Sequence, residues 1–183
     1  MKIAIDAGHG LNTQGKRCLK AIDSNQTREW WLNDRIADRL QKELANYKDC
    51  EVLRVDDTTG RTDVSLEDRV AKANAWGADV YLSLHHNAGL GGKRGGGIMV
   101  FYYSSKEERR VQATALYNCV VKHTDLAGNR ASKVSNTAFY VLRNTKMPAF
   151  LLENGFMDST TDTPIILTEA HANKTVQIGR AHV

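Results

Sequence analysis

The alternation of short apolar runs with longer amphipathic segments constrains the fold more than any other feature of this sequence. Strands are predicted at residues 2–6, 51–55, 79–84, 98–103, 139–142 and 149–153. The amphipathic segments between them have lengths of about 12–20 residues, which favours helices. This order predicts one α/β domain over residues 1–183, with a mixed, mostly parallel sheet of about six strands and helices on both faces.

Helix boundaries are marked by several local signals. A helix is predicted at 28–47, with Thr27 as its N-cap and one aliphatic stripe. The residues of that stripe are Leu32, Ile36, Leu40 and Leu44. Ser65-Leu-Glu-Asp68 resembles a capping box that opens a helix ending at Trp76, before Gly77. Further helices are predicted at 106–123 and from 168 to the C-terminus, and the glycine cluster at 89–97 is predicted to be a mobile loop.

Composition and charge exclude several classes of protein. The chain has 25 Lys+Arg, 21 Asp+Glu and 42% hydrophobic residues, which argues against disorder. Its net charge of +4 suits a polyanionic partner such as nucleic acid or an anionic wall polymer. Because no basic block with interleaved aromatic residues occurs, we predict no nucleic-acid partner. No apolar run approaches the roughly 18 residues of a membrane span, so no membrane insertion is predicted.

The N-terminus and the cysteines indicate where the protein is made. The apolar stretch at 3–5 is shorter than the roughly 7–15 residues of a secretory signal. We therefore expect synthesis in the cytoplasm without a signal peptide. The three cysteines, Cys18, Cys50 and Cys119, are odd in number and far apart, which predicts reduced packing residues rather than a disulfide framework.

Four chemically capable side chains are predicted near the carboxyl ends of the strands. His9, His85 and Glu153 follow or end predicted strands, and Glu29 lies in the first turn of the first predicted helix. Ligand sites of parallel sheets lie outside these strand ends. Two imidazoles and one carboxylate form a common catalytic zinc set with an open position for water, and a second carboxylate can serve as general base.

Each of these side chains also has an ordinary structural explanation. His9 suits a turn, Glu29 is favourable at a helix N-terminus, and His85 or His86 can be a buried core histidine. Glu153 is harder to explain in this way, since it follows the apolar run at 150–152 and is placed for burial, which raises a carboxyl pKa.

Six segments in chain order resemble motifs of the zinc-dependent N-acetylmuramoyl-L-alanine amidases of the type 3 class. They are Ile3-Ala-Ile-Asp-Ala-Gly-His-Gly10, Glu29-Trp-Trp-Leu-Asn33, Ser65-Leu-Glu-Asp-Arg69 with Ala73-Asn74, Ser83-Leu-His-His-Asn87, Val141-Leu-Arg-Asn-Thr145 with Met147-Pro-Ala149, and Leu152-Glu-Asn-Gly-Phe156. Each motif alone is weak, but six in the same order are specific. Residues 11–28 depart from the acidic, glycine-rich pattern usual in that family.

The resemblance assigns roles to these residues. It implies Zn²⁺ ligands at His9, Glu29 and His85 and a catalytic carboxylate at Glu153. It selects His85 rather than His86, because the ligand stands two residues before Asn87. Strand alternation agrees, since His85 shares a face with Tyr81 and Ser83, opposite Val80, Leu82 and Leu84. His86 is then expected to line the cleft or to pack beside it.

Two further residues are predicted to bind substrate. Asn87 closes the Ser-Leu-His-His-Asn motif. Arg143, on the strand predicted before the catalytic one, is placed to pair with a carboxylate of the substrate, although a solvated surface cation is an equal alternative. No role is assigned to His123, His171 or His182, which are predicted to lie on helices away from the strand ends.

The function implied by the resemblance is peptidoglycan hydrolysis. The scissile bond would be the amide between N-acetylmuramic acid and L-alanine, attacked by zinc-activated water. The expected setting is a phage endolysin or an autolysin that reaches bacterial peptidoglycan after lysis. The alternatives are another zinc peptidase or deacetylase acting on cell-wall material, and a non-catalytic domain that binds wall or nucleic acid.

Overall fold

A six-stranded mixed sheet forms the centre of the molecule. The structure, a computed structural model, describes residues 1–129 and 131–177. Its strands are β1 (Lys2–Ala7), β2 (Glu51–Arg54), β3 (Val80–Asn87), β4 (Ile98–Tyr102), β5 (Val134–Asn136) and β6 (Ala149–Phe156). They follow the order β2-β1-β3-β6-β4-β5, and all neighbours are parallel except β4 and β6. The α/β prediction is confirmed.

Helices cover both faces of this sheet. They are α1 (Glu29–Leu44), α2 (Leu66–Trp76), α3 (Glu107–His123), α4 (Tyr140–Asn144), α5 (Thr163–Ile166) and α6 (Glu169–Thr175). One core cluster joins the sheet to α1, α3 and α6, and a second joins its other face to α2 and α4. None of the described helices has the length and apolar character needed to cross a membrane.

Alternation along the strands decides which core each side chain enters. Leu82 and Leu84 of β3 belong to the first cluster, whereas Tyr81 belongs to the second. His85 is therefore on the Tyr81 face, as the sequence predicts. Cys18 is buried in the first cluster, and all three cysteines are free.

Two predicted boundaries of α1 are wrong, while those of α2 are confirmed. Arg28, and not Thr27, is the N-cap of α1, and its side chain makes no cap hydrogen bond. The Thr27 amide donates to the Asp23 carboxylate at 2.7 Å, in the loop before the helix. The helix also ends at Leu44 instead of residue 47. In α2, the Ser65 hydroxyl accepts the Asp68 amide at 3.1 Å, and the left-handed Gly77 follows the last helical residue.

The strand predicted at 139–142 is wrong. Phe139 is an N-cap, its carbonyl accepts the amides of Leu142 and Arg143 at 3.1 and 3.0 Å, and α4 follows. The sixth strand is instead β5, which pairs with β4. A four-residue apolar run has no periodicity that separates a strand from a buried helical turn. Arg143 consequently lies on a helix and is exposed.

The C-terminal helix prediction is confirmed over its described part. Thr168 caps α6 by accepting the His171 amide at 3.1 Å. The predicted continuation beyond residue 177, with His182, lies outside the described residues. The short helix α5 was not predicted; its segment contains Pro164, which suits the first turn of a helix.

The backbone of the glycine loop at 89–97 is hydrogen-bonded to two aspartates outside the loop. The Asp158 Oδ2 atom accepts the amides of Gly89, Leu90 and Gly91 at 2.7–2.8 Å. The Asp162 carboxylate accepts the Gly97 amide at 2.6 Å. The prediction of a loop is confirmed, and these carboxylates connect the loop to the segment that follows β6.

Candidate metal centre

His9, Glu29 and His85 meet at the carboxyl edge of the sheet. His9 follows β1, Glu29 opens α1 and His85 lies near the end of β3. The Glu29 Oε1 atom lies 3.3 Å from His9 Nε2 and 3.0 Å from His85 Nδ1. One ligand atom from each residue falls within 4.8 Å of the others, and the two rings stand nearly perpendicular, 5.0 Å apart. The arrangement can hold one cation.

The turn after β1 brings the two imidazoles together. The Gly8 amide donates to the Leu84 carbonyl at 3.0 Å, which extends the pairing of β1 with β3 up to His9. A Cβ on Gly8 would lie 2.0 Å from the His85 ring, so only glycine permits this approach. His9 itself has φ of 69°, a left-handed conformation that is uncommon for residues with a side chain.

Glu29 is a buried carboxylate with positive neighbours. Its residue is 1% exposed. Burial raises its pKa, but hydrogen bonds and charges from His85 and His9 outweigh burial and hold that pKa well below the usual range. The same contact outweighs the burial of His85 and raises the pKa of that imidazole. Glu29 Oε2 has no hydrogen-bond partner among the described residues, and the Lys16 ammonium lies 3.8 Å away. A buried anionic oxygen without a donor fits a metal cation.

Glu153 supplies a second carboxylate of different character. It is the register partner of His85 on the neighbouring strand β6. Burial raises its pKa to about 7, with His85 acting in the opposite direction. Its Oε2 atom is buried and meets no donor in the described part of the chain. A carboxyl group whose pKa is near 7 can both take up and release a proton at neutral pH.

A cleft of about 440 Å³ opens over the two histidines. The segments before and within α2 and α4 form its walls, through Val64, Ser65, Leu66, Phe139, Tyr140 and Val141. Leu66 and Phe139 remain 48% and 40% exposed at the rim, and the Phe139 ring packs edge-on against Phe101 at 5.1 Å. A larger cavity of about 670 Å³ lies between α1 and α3, but none of the predicted site residues lines it.

A buried ion pair supports the floor of this cleft. The Arg69 guanidinium pairs with Asp6 and also donates to the carbonyls of Ala7 and His9 at 2.9 and 3.1 Å. The hydroxyls of Tyr81 and Ser83 donate to the same aspartate, each at 2.8 Å. Burial opposes ionisation of Asp6, but the Arg69 charge holds its pKa below the usual value. Sequence analysis missed this pair, although both residues lie in the motifs quoted above.

The remaining predicted residues are less closely joined to the centre. Asn87 ends β3, where its side-chain oxygen accepts the Ala88 amide at 2.8 Å. Arg143 lies on α4 and is not among the residues that line the cleft. His86 is expected from the sequence either to line the cleft or to pack beside it. It is 2% exposed, packs in the interior and is not among the residues that line the cleft.

The fold and the site define an α/β protein with a candidate metal centre at the carboxyl edge of its sheet. Residues 3–179 match the family described as N-acetylmuramoyl-L-alanine amidase. The chain belongs to this family. It is 35% identical over 185 residues to the N-acetylmuramoyl-L-alanine amidase CwlM of Bacillus licheniformis. The aligned region covers all of this chain and 66% of that protein.

Two further comparisons agree with this assignment. The sporulation-specific N-acetylmuramoyl-L-alanine amidase of Bacillus subtilis strain 168 is 35% identical over 93% of this chain and 62% of its own length. The crystal structure of an N-acetylmuramoyl-L-alanine amidase from Clostridium difficile 630 superposes with a TM-score of 0.86 at 29% identity, covering 98% of this chain and 93% of that one. The chain spans less than two thirds of the length of both curated relatives.

Proposed function

We propose that this chain is a zinc-dependent peptidoglycan amidase that hydrolyses the amide between N-acetylmuramic acid and L-alanine. The observation that carries the proposal is the convergence of His9, Glu29 and His85 within 4.8 Å, with Glu153 beside them in register. Family membership supports the same reaction. Bacterial peptidoglycan is the proposed partner, and an endolysin or autolysin is the proposed setting.

The donor set fits Zn²⁺. Two imidazole nitrogens and one carboxylate are a frequent catalytic zinc set, which leaves a fourth position open. The buried Glu29 oxygen without a donor is the feature that a bound cation would explain. When bound, Zn²⁺ supplies Lewis-acid chemistry, polarising the scissile carbonyl and increasing the acidity of water. His9, Glu29 and His85 hold it from three different segments of the fold.

Glu153 handles the proton in the proposed mechanism. Its Oε2 atom accepts a proton from the attacking water and then donates it to the nitrogen of the leaving amine. The raised pKa of about 7 makes both steps accessible near neutral pH. Glu153 lies on β6 between β3 and β4, and its buried Oε2 atom is shielded from bulk water, so the proton is exchanged with the reacting groups.

Asn87 and Arg143 are proposed to bind substrate. Asn87 lies at the same end of β3 as His85, next to the centre. Arg143 is exposed on α4, three residues after Tyr140, which lines the cleft. A guanidinium at this place can pair with a carboxylate of the muramyl group or of the stem peptide.

Product analysis tests the proposal directly. Purified peptidoglycan is digested with the protein, with and without a chelator, and the fragments are identified by mass spectrometry. We expect stem peptides with a new N-terminal alanine, formed only without the chelator and not by Glu153→Gln. Other new peptide ends would indicate a peptidase, and free glucosamine nitrogens a deacetylase. Wall binding without any cleavage would indicate a non-catalytic domain and would contradict the proposal.

A further inference from the structure

Behind the candidate ligands lies an inner polar cluster, formed by Asn33, His86, Asn154 and His171. All four side chains are fully or almost fully buried between the sheet and the helices α1 and α6. Buried polar side chains are unfavourable unless they are hydrogen-bonded, so a cluster of four requires an explanation. The mechanism proposed above uses none of them.

Two members of the inner polar cluster join all three ligand-bearing segments. Asn33 lies one helical turn after Glu29, and its Nδ2 atom donates to the Gly8 carbonyl at 3.1 Å, directly before His9. The His86 ring contacts Asn33 Oδ1 through Nδ1 at 2.7 Å. The His86 backbone amide donates to Glu29 Oε1 at 3.3 Å. The ends of β1 and β3 and the start of α1 are thus held together through Asn33 and His86.

The directions of these hydrogen bonds leave one side of His86 open. Because the Asn33 amide group donates to Gly8, its oxygen is the acceptor, and His86 Nδ1 must donate. In the neutral ring, Nε2 then carries a lone pair. That atom has no hydrogen-bond partner within residues 1–129 and 131–177. Asn154 Oδ1 lacks a partner there as well. The His171 ring faces the Asn154 backbone, but neither of its nitrogens makes a hydrogen bond of full geometry with a described residue, so one nitrogen remains for a water.

The spacing of the two rings fits one bridging water. The centroids of His86 and His171 are 6.4 Å apart. A water at about 2.8 Å from one nitrogen of each ring, with a near-tetrahedral angle, would separate the centroids by roughly 6–7 Å. Such a water can donate to His86 Nε2 and to Asn154 Oδ1 while it accepts from His171.

We propose that Asn33 and His86 are positioning residues for the metal centre, and that a buried water shared with His171 completes the hydrogen bonding of His86. This inference rests on the proposed function only in taking His9, Glu29 and His85 as the ligands. Removing either positioning side chain uncouples the three segments, so that binding a metal must also order them. Loss of outer hydrogen-bond partners of metal ligands typically weakens metal affinity about 10–100-fold.

Zinc affinity, measured by competition with a chromophoric chelator, tests the positioning role without any substrate. We expect Asn33→Ala and His86→Leu to weaken zinc binding about 10–100-fold. His86→Asn, which can keep a donor near the Nδ1 position, should restore most of the affinity. Thr163→Val is the matched control, because it removes a buried hydroxyl that donates to the Phe156 carbonyl at 3.2 Å and contacts none of the ligands. It should leave zinc affinity within about twofold, well below the effect of an outer ligand partner.

Cobalt spectra and unfolding curves separate positioning from loss of folding. The visible absorption of the Co²⁺-loaded protein should change in Asn33→Ala and His86→Leu and remain as wild type in Thr163→Val. Urea unfolding in the presence of chelator reports the stability of each metal-free chain. Wild-type zinc affinity and cobalt spectra in folded Asn33→Ala and His86→Leu would overturn the positioning role. If the wild type itself binds no zinc, the proposed function fails first.

The buried water is tested by a high-resolution crystal structure. We expect density within hydrogen-bond distance of His86 Nε2 and of one His171 nitrogen in the wild type, and its loss in His171→Leu. Direct contact between the two rings, or an empty space between them, would overturn the water assignment.

Discussion

The start of α1 and the middle of β6 each place a glutamate at the same centre, yet the pKa values of the two carboxyls shift in opposite directions. At Glu29, contacts with His9 and His85 outweigh burial, and the pKa falls. At Glu153 burial is the larger effect, and the pKa rises to about 7. The comparison teaches that direct contacts with the two histidines, and not the kind of acid, set the direction of each carboxyl pKa shift. In the proposed mechanism this difference separates the metal ligand Glu29 from the proton carrier Glu153.

The largest expected effect comes from replacing Glu29. Glu29→Gln keeps the size of the side chain but removes its charge, and a neutral amide is a poor zinc ligand. We expect zinc content to fall far below one per chain and activity to fall with it to background, measured by elemental analysis and by release of stem peptide. Glu43→Gln, on the same helix but away from the centre, is the control for a lost carboxylate.

Glu153→Gln should produce the complementary result. Zinc content is expected to stay near that of the wild type, because this residue is not a ligand in the proposed mechanism. Turnover should fall by roughly 10²–10⁴, the range for a general acid–base residue. Loss of zinc in Glu153→Gln, with zinc retained in Glu29→Gln, would show that the two roles are reversed.

Thermal stability sharpens the same contrast. A ligand at about 1,000 times its dissociation constant stabilises the folded state by about 4 kcal/mol. For a domain of this size that corresponds to a fall in Tm on the order of 10 °C when zinc is removed. The wild type and Glu153→Gln should both show this fall on adding chelator, whereas Glu29→Gln should show little change. Equal melting of the wild type with and without chelator would contradict a bound metal.

The smallest expected effect is the contribution of His171 to the pH dependence of the free energy of unfolding. It shows how burial acts on a basic side chain. Burial and the Arg35 charge lower its pKa to about 4, against opposing contributions that include Asp125. The unfolded chain binds this proton with a pKa near 6.5, so the stability contribution is full above pH 6.5 and is lost as pH falls towards 4. At pH 5 the loss is about 2 kcal/mol relative to neutral pH.

The measurement is urea unfolding of the metal-free wild type and of His171→Leu between pH 5 and 7.5. His171→Leu should lose less stability on acidification than the wild type. The difference between the two proteins isolates this group from the other carboxyls and histidines. Identical pH slopes would show that His171 is already paired or solvated in the folded state.

The grouping of the candidate site residues could be predicted from the sequence more completely than the boundaries of the helices and strands. Parallel strands bring their carboxyl ends to one edge, so residues as distant as His9 and Glu153 could be placed together from strand predictions alone. The family motif selected His85 over His86, and the alternation of side chains along β3 agreed with that choice.

Other features depended on tertiary contacts that no local pattern records. The apolar run at 139–142 forms the first turn of α4 because Val141 and Leu142 are buried against the second core. The Asp6–Arg69 pair and the inner polar cluster join segments far apart in the chain. Their hydrogen bonds exist only after the sheet and helices have packed.

The anchoring of the glycine loop has a consequence for proteolysis. Lys93 and Arg94 are exposed trypsin sites within the loop. The Lys93 backbone is nevertheless held, since its amide donates to Leu90 and its carbonyl accepts the Thr160 amide at 3.1 Å. A protease needs an extended stretch of free backbone. Cleavage here therefore requires local unfolding that breaks the Asp158 contacts, so trypsin is expected to cut the folded protein slowly at Lys93 and Arg94.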